Sequence, residues 1–140
     1  EYGDFEKTSV RIEKERKVEE NEAIFKTLSP IFIKDANNKA LEIEDENYNK
    51  ELNYFANLSI KSFRGYGLKE EIVFTPLKMK KVVVKEEISG FKEKTNKKYI
   101  YFNSYSGVFH LRGDKDDLNL LKELGLGCRR NSGLGSIDLI

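Results

Sequence analysis

Residues 107–135 read GVFHLRGDKDDLNLLKELGLGCRRNSGLG, and they pass from strand to helix to glycine-rich loop. Phe109 and Leu111 alternate with His110, the two-residue period of a strand with one buried face. Asp114 then stands where a helix N-cap accepts backbone N–H groups. Asp116 and Asp117 crowd the positive end of the first turn, and Gly125 suits the C′ position. Leu118, Leu121 and Leu124 give this helix an apolar side. Beyond it Gly125, Gly127, Gly133 and Gly135, four of the chain's ten glycines, surround Arg129, Arg130, Asn131 and Ser132. SIDLI (136–140) closes the chain as a short strand.

Working outward from this stretch, AIFKTLSPIFIKD (23–35) predicts a strand, with Pro30 marking a bulge or an edge, and DANN a turn. Residues 46–64 predict a helix, because Leu52, Phe55, Ala56, Ile60 and Phe63 recur at three- and four-residue spacing and Gly65 can stop it. EIVFTPL (71–77) and KKVVVKEEI (80–88) are strand-like and interrupted by Pro76. SGFKEKTNKK (89–98) is a turn, so the runs flanking it form a hairpin, and Gly107 bends the second strand, 99–113. The order is βαββαβ, which predicts an α+β, ferredoxin-like fold: an antiparallel sheet with both helices on one face and the other face left for a partner. Residues 1–22 are expected to be a charged lead-in strand ahead of this 23–140 domain. Glu1 rather than Met suggests a fragment or a trimmed start.

The chain's 140 residues suit one domain, and 9 Phe with 7 Tyr suffice for a packed core. The formal net charge of +1 hides an asymmetry: residues 1–70 carry 12 basic and 15 acidic side chains, residues 71–140 carry 13 and 9. The second half is therefore the basic one. A single Cys excludes an internal disulfide and suits a reducing, cytoplasmic setting. With one His as well, a Cys/His zinc site is excluded. No apolar run has the length of a membrane span and no signal peptide is visible, so no membrane partner is expected.

The glycine loop is neither of the common phosphate-binding motifs. A Walker A loop needs Lys after its last glycine, and Gly133 is followed by Leu134. A dinucleotide fingerprint begun at Gly125 would need glycine at 130, where Arg130 stands. Both motifs also run from strand into helix, whereas here a helix precedes the loop and presents its negative end. An anion at this loop is then held by Arg129, Arg130 and loop N–H groups. The plainer alternative is that the glycines only supply turns with positive φ.

Eight lysines fall between 78 and 98, among them Lys78, Lys80 and Lys81, against three acids. They are a solvated hairpin surface or a set of phosphate contacts that add affinity without sequence information. Phe91, Tyr99 and Tyr101 could stack on bases, but core packing is the expectation for them. The aromatic strand signature of RNA-recognition motifs is absent. His110 is the sole imidazole available for acid–base work; it points to the open sheet face and has no partner nearby in sequence. DKDD (114–117) lacks the glycine and distal Glu of a calcium loop and is expected to be structural, and Cys128 is assigned no chemistry.

GLGCRRNSGLG resembles the C-terminal glycine-rich loop of the CRISPR-associated endoribonucleases that process repeat RNA, members of the RAMP superfamily. Gly125, Gly127, Arg129 or Arg130, Ser132, Gly133 and Gly135 carry the likeness, at a spacing one residue tighter than the common form. FKTLSPIFI (25–33) is similar to the stretch that opens that family's second domain, and residues 107–127 to its strand–Gly-Asp–helix run. The resemblance covers about 23–140 and implies a C-terminal domain. The family's catalytic His, with supporting Tyr or Lys, belongs to a first domain outside this match. It implies cutting of precursor CRISPR RNA within its repeats, without metal or other cofactor, leaving a 2′,3′-cyclic phosphate and a 5′-OH. Repeat RNA is the implied partner, with a second copy or other CRISPR-associated proteins as protein partners. The RNA-binding set is then Gly125, Gly127, Arg129, Arg130, Asn131, Ser132, Gly133 and Gly135, with Lys78, Lys80 and Lys81. Two alternatives stay open: a non-catalytic RAMP RNA-binding subunit, and a ligand-sensing ferredoxin-like domain that dimerises through its sheet.

Overall fold

The computed structural model describes residues 16–87, 99–128, 130 and 133–140. Within them the elements run β1 (Glu22–Thr27), α1 (Tyr48–Arg64), β2 (Val73–Glu87), β3 (Tyr99–Arg112), α2 (Lys115–Leu124) and β4 (Ile137–Leu139). The strands form one sheet in the order β2-β3-β1-β4, and all its pairings are antiparallel. This is the ferredoxin-like arrangement expected from the βαββαβ order.

One face of the sheet makes the core. Phe25 sits directly across from Phe109, with ring centroids 5.8 Å apart, and Phe74 stacks on Phe109 at 5.1 Å. Leu52, Ala56 and Ile60 of α1 and Leu118 and Leu121 of α2 close over these rings, all of them buried. The alternation read from His110 holds: Phe109 and Leu111 are fully buried and His110 is not. The helix stripe is narrower than expected, since Phe63 is 66% exposed and Tyr48 takes part in its place.

Three strand expectations are corrected. The ladder expected over 23–35 ends at Thr27, because Ser29-Pro30 breaks it; beyond the break Ile31 makes an isolated bridge to Tyr105. Pro76 interrupts less than expected, and 73–87 is one strand with a register shift between Pro76 and Lys78. As the edge strand, β2 can lose the Pro76 N–H without breaking an interior ladder. Residues 16–19 of the lead-in are not strand, although Val18 is buried and exchanges two hydrogen bonds with the Asn119 side chain. The rest of that lead-in and the 89–98 turn lie outside the described residues.

At the start of β2 its open edge is met by α1. Asn53 Oδ1 accepts from Ile72 N at 2.7 Å and Asn49 Oδ1 from Phe74 N at 2.8 Å, while both amides donate to Ile72 O. Four residues apart on a helix, the two asparagines satisfy backbone groups that would otherwise invite another strand.

At the far end of the helices Arg64 donates to Asp117 Oδ1 at 2.7 Å, and Lys69 N to Asp117 Oδ2 at 2.7 Å. Asp117 is fully buried. The acid that the sequence places in the first turn thus clamps the C-terminus of α1 to the N-terminus of α2. Removing it leaves Arg64, 14% exposed, without its counter-charge. Asp117→Ala is therefore expected to cost about 3 kcal/mol in urea unfolding. A loss below about 1 kcal/mol, the scale of a surface pair, would refute the clamp.

Candidate nucleic-acid interface

The glycine loop is stitched to the segment after β1. Cys128 N donates to Phe32 O at 2.9 Å, Gly135 N to Pro30 O at 2.8 Å, and Leu28 N to Ser136 O at 2.7 Å. Ser29 Oγ accepts from Ser136 N, and Leu126 N donates to Gly135 O across the loop's own neck. The glycines are what allow this closeness. A Cβ on Gly127 would stand 2.7 Å from Phe32 O, one on Gly125 would meet Gly135 O at 3.0 Å, and one on Gly135 would overlap Leu126 O. All three have positive φ. They are needed for contacts inside the protein as well as for the turns. Gly133, also at positive φ, faces open space.

Four of the described loop N–H groups are likewise committed. Those of Leu126, Cys128, Gly133 and Gly135 all bond to backbone carbonyls, so these four do not form an anion nest. Arg130 is exposed and donates from Nη1 to Leu124 O at 3.0 Å, capping the negative end of α2. Arg129, Asn131 and Ser132 lie outside the described residues. Cys128 is buried and its thiol donates to Phe32 O, and the loop meets the hairpin where Phe32 packs on Phe102, 4.2 Å between centroids.

The lysines separate by face. Lys78 opposes Val108, which opposes Lys26, and Lys80 opposes Ser106. Two-residue alternation puts Lys26, Lys78 and Lys80 on the side of His110, opposite the helices, with Arg112 continuing the same row. Lys81 opposes Tyr105 and so belongs to the helix side, where its Nζ lies 2.7 Å from Glu42 Oε1. It is therefore not part of the row formed by Lys78 and Lys80. Exposed Ile24, Val73 and Leu77 lie among the open-face charges.

His110 does have a partner, from another strand. Its Nε2 lies 2.9 Å from Glu22 Oε1, a diagonal neighbour across β1 and β3. Only the strand register could have revealed this. The acids of DKDD are partnered as well: Asp114 caps Asp117 N, Asp116 Oδ2 lies 3.2 Å from Lys69 Nζ, and Asp117 holds Arg64. Among the described residues no group of three or more His, Cys, Asp or Glu could hold a metal ion, and no helix is long and apolar enough to cross a membrane.

The comparisons now bear on this geometry. A family model described as CRISPR associated protein Cas6, C-terminal, matches residues 13–139. The chain belongs to this family. A Cas6-related protein of Pyrococcus furiosus superposes with a TM-score of 0.69 at 24% identity, over 91% of this chain and 51% of its own. A CRISPR associated protein Cas6 gives 0.64 at 20%, over 87% and 49%. A RAMP protein described as binding different RNA substrates gives 0.64 at 25%, over 89% and 52%. The chain thus spans about half the length of these proteins, and for the first two the likeness is one of fold. No curated protein matches. The resemblance carried by the glycine loop, the 25–33 stretch and the 107–127 run is borne out at the level of family.

Two expectations follow. Gly127→Ala and Gly135→Ala, which drive a Cβ into a backbone carbonyl, should lower the unfolding temperature clearly more than Gly133→Ala, which meets only the penalty of about 1–2 kcal/mol for a left-handed residue. Equal losses would show that the carbonyl contacts do not govern the loop. The second concerns Glu42, whose carboxyl is held below its ordinary value of 4.5, first by the hydrogen bond from Lys81 and then by that from Tyr105. A folded value below the unfolded one means the pair stabilises above the ordinary carboxylate range and is lost as pH falls through the lowered value. An NMR titration should give Glu42 a midpoint below 4.5 that rises in Lys81→Ala. A midpoint indifferent to that substitution would refute the assignment.

Proposed function

We propose that this chain holds RNA as the C-terminal part of a Cas6-type protein that cuts precursor CRISPR RNA within its repeats without metal. The observation that carries the reading is the match of residues 13–139 to the Cas6 C-terminal family. It is supported by the RAMP protein described as binding different RNA substrates and by the open-face row Lys26, Lys78, Lys80 and Arg112. Contacts of this kind neutralise phosphates and fix register, and they carry no sequence information of their own. Arg129 and Arg130 would add charge at the glycine loop. Arg130 has one nitrogen on Leu124 O and can present the rest of its planar fork to a phosphate.

Cleavage belongs to the proposal for the whole protein. Its metal-free chemistry needs a base for the 2′-OH and a proton donor for the leaving oxygen. The His110–Glu22 pair is a second candidate for that work, because a carboxylate on one ring nitrogen orients the imidazole.

Incubation with CRISPR repeat RNA in chelator, across salt concentrations, tests both parts. We expect salt-dependent binding without cleavage, and a log–log salt slope that falls by roughly 1.4 in the Lys78→Ala/Lys80→Ala double variant, about 0.7 per lost phosphate contact on a single strand. Absence of any salt-dependent affinity would sink the RNA-holding role. Cleavage lost in His110→Ala would instead move the chemistry onto the His110–Glu22 pair.

A further inference from the structure

The hairpin carries aromatic surface that the core does not use. Tyr101 is 62% exposed and Val83, on the same face, 61%. Core packing, the expectation for Tyr101, is overturned. The register explains the exposure. Tyr105 is the last hairpin residue of this face to reach the core, edge-on to Tyr48, and β3 and β2 continue as a ribbon past that contact. Beside Tyr101 lies a depression of about 370 Å³, small for a ligand pocket and open enough for one planar ring.

Its lining combines the three features that recognise a nucleotide. Tyr101 and Val83 offer apolar surface. Asn38 and Asn103 bring amides, each with a donor and an acceptor, and Asn103 reaches Glu42 only at 3.4 Å. Positive charge comes from Lys39 in the lining and from Lys85, which opposes Tyr101 directly and lies 4.1 Å above the Tyr99 ring. Among the described lining residues the one carboxylate, Glu42, is matched by Lys81 at 2.7 Å, so it does not repel a phosphate there.

We propose that Tyr101 is a stacking platform for one unpaired base of bound RNA, with Lys85 and Lys39 on the adjoining phosphates. This rests on the RNA-holding role proposed above and adds a site separate from the open-face lysines. Its ligand is single-stranded, because a base within a duplex cannot lay its face on an exposed ring. Stacking of this kind tolerates any base, since each has a π-face.

The test measures binding of oligoadenylate, and of the same ribose-phosphate strand without bases, to the 140-residue chain. Tyr101→Ala should weaken oligoadenylate binding roughly 5- to 150-fold, the effect of losing about 1–3 kcal/mol of stacking. The salt slope should stay unchanged, Tyr101→Phe should bind as the parent does, and the baseless strand should not distinguish Tyr101→Ala from the parent. Unaltered thermal unfolding checks that the exposed substitution leaves the fold intact. Salt-dependent oligoadenylate binding that ignores Tyr101→Ala would overturn the platform and leave the RNA-holding role standing. A change of oligomeric state in Tyr101→Ala with RNA affinity unmoved would overturn it in favour of a protein contact. No affinity for oligoadenylate alongside firm binding of repeat RNA would overturn it too, and failure of both RNAs would overturn the role beneath it.

Discussion

The seam between the Ser29-Pro30 break and the glycine loop closes the molecule. When β1 stops pairing at Thr27, the chain turns through Leu28, Ser29 and Pro30, whose backbone groups have no place in the sheet ladder. The loop after α2 supplies their partners: Gly135 N for Pro30 O, Cys128 N for Phe32 O, and Ser136 O for Leu28 N and Ser29 N. Backbone groups left without partners are costly, so each side of the seam stabilises the other. Glycine is what lets two irregular backbones come this close, and β4 pairs with β1 directly after it.

The seam gives physical meaning to a sequence likeness. The stretch around Ser29-Pro30 and the glycine-rich stretch a hundred residues later resemble the same family, and in the fold they are each other's hydrogen-bonding partners. The opening puzzle of glycines wrapped around arginines thus divides in two. Gly125, Gly127 and Gly135 serve the seam, while Gly133 and the exposed Arg130 lie on its outer side.

Much of this was legible in the sequence, and the failures share one cause. Period-two alternation around His110, the Asp114 cap and the stop at Gly65 were visible because each depends on neighbours within a few positions. Asp117 could not be distinguished from Asp116 by sequence, since its burial depends on Arg64, 53 residues away. Glu22 became the partner of His110 only through the register of β1 on β3. Alternation separates Lys81 from Lys78 and Lys80, but only the register shift after Pro76 decides which of them point to the open face. Tyr101 looked like core because aromatic, alternating strands usually are. Its exposure reflects how far the hairpin outruns the helices, which no local pattern records.

That overrun also organises the charges. Near β1 the sheet is four strands wide and covered by helices, so cations there are confined to the open face, as Lys26, Lys78 and Lys80 are. Farther out the face that carries Val83 and Tyr101 meets solvent, while Phe102 on the other face packs on Phe32, and lysines are tolerated on the exposed face, as Lys81 and Lys85 show. A ribbon of this kind costs little to decorate with charge and aromatic rings, because it contributes little to the core. The two ends of β2 and β3 therefore answer to different constraints. From Val73 to Met79 and from Gly107 to Arg112 side chains must serve the packing of Phe74, Phe109 and Leu111. Farther out, on the face of Val83 and Tyr101, they can be given over more freely to whatever the hairpin touches.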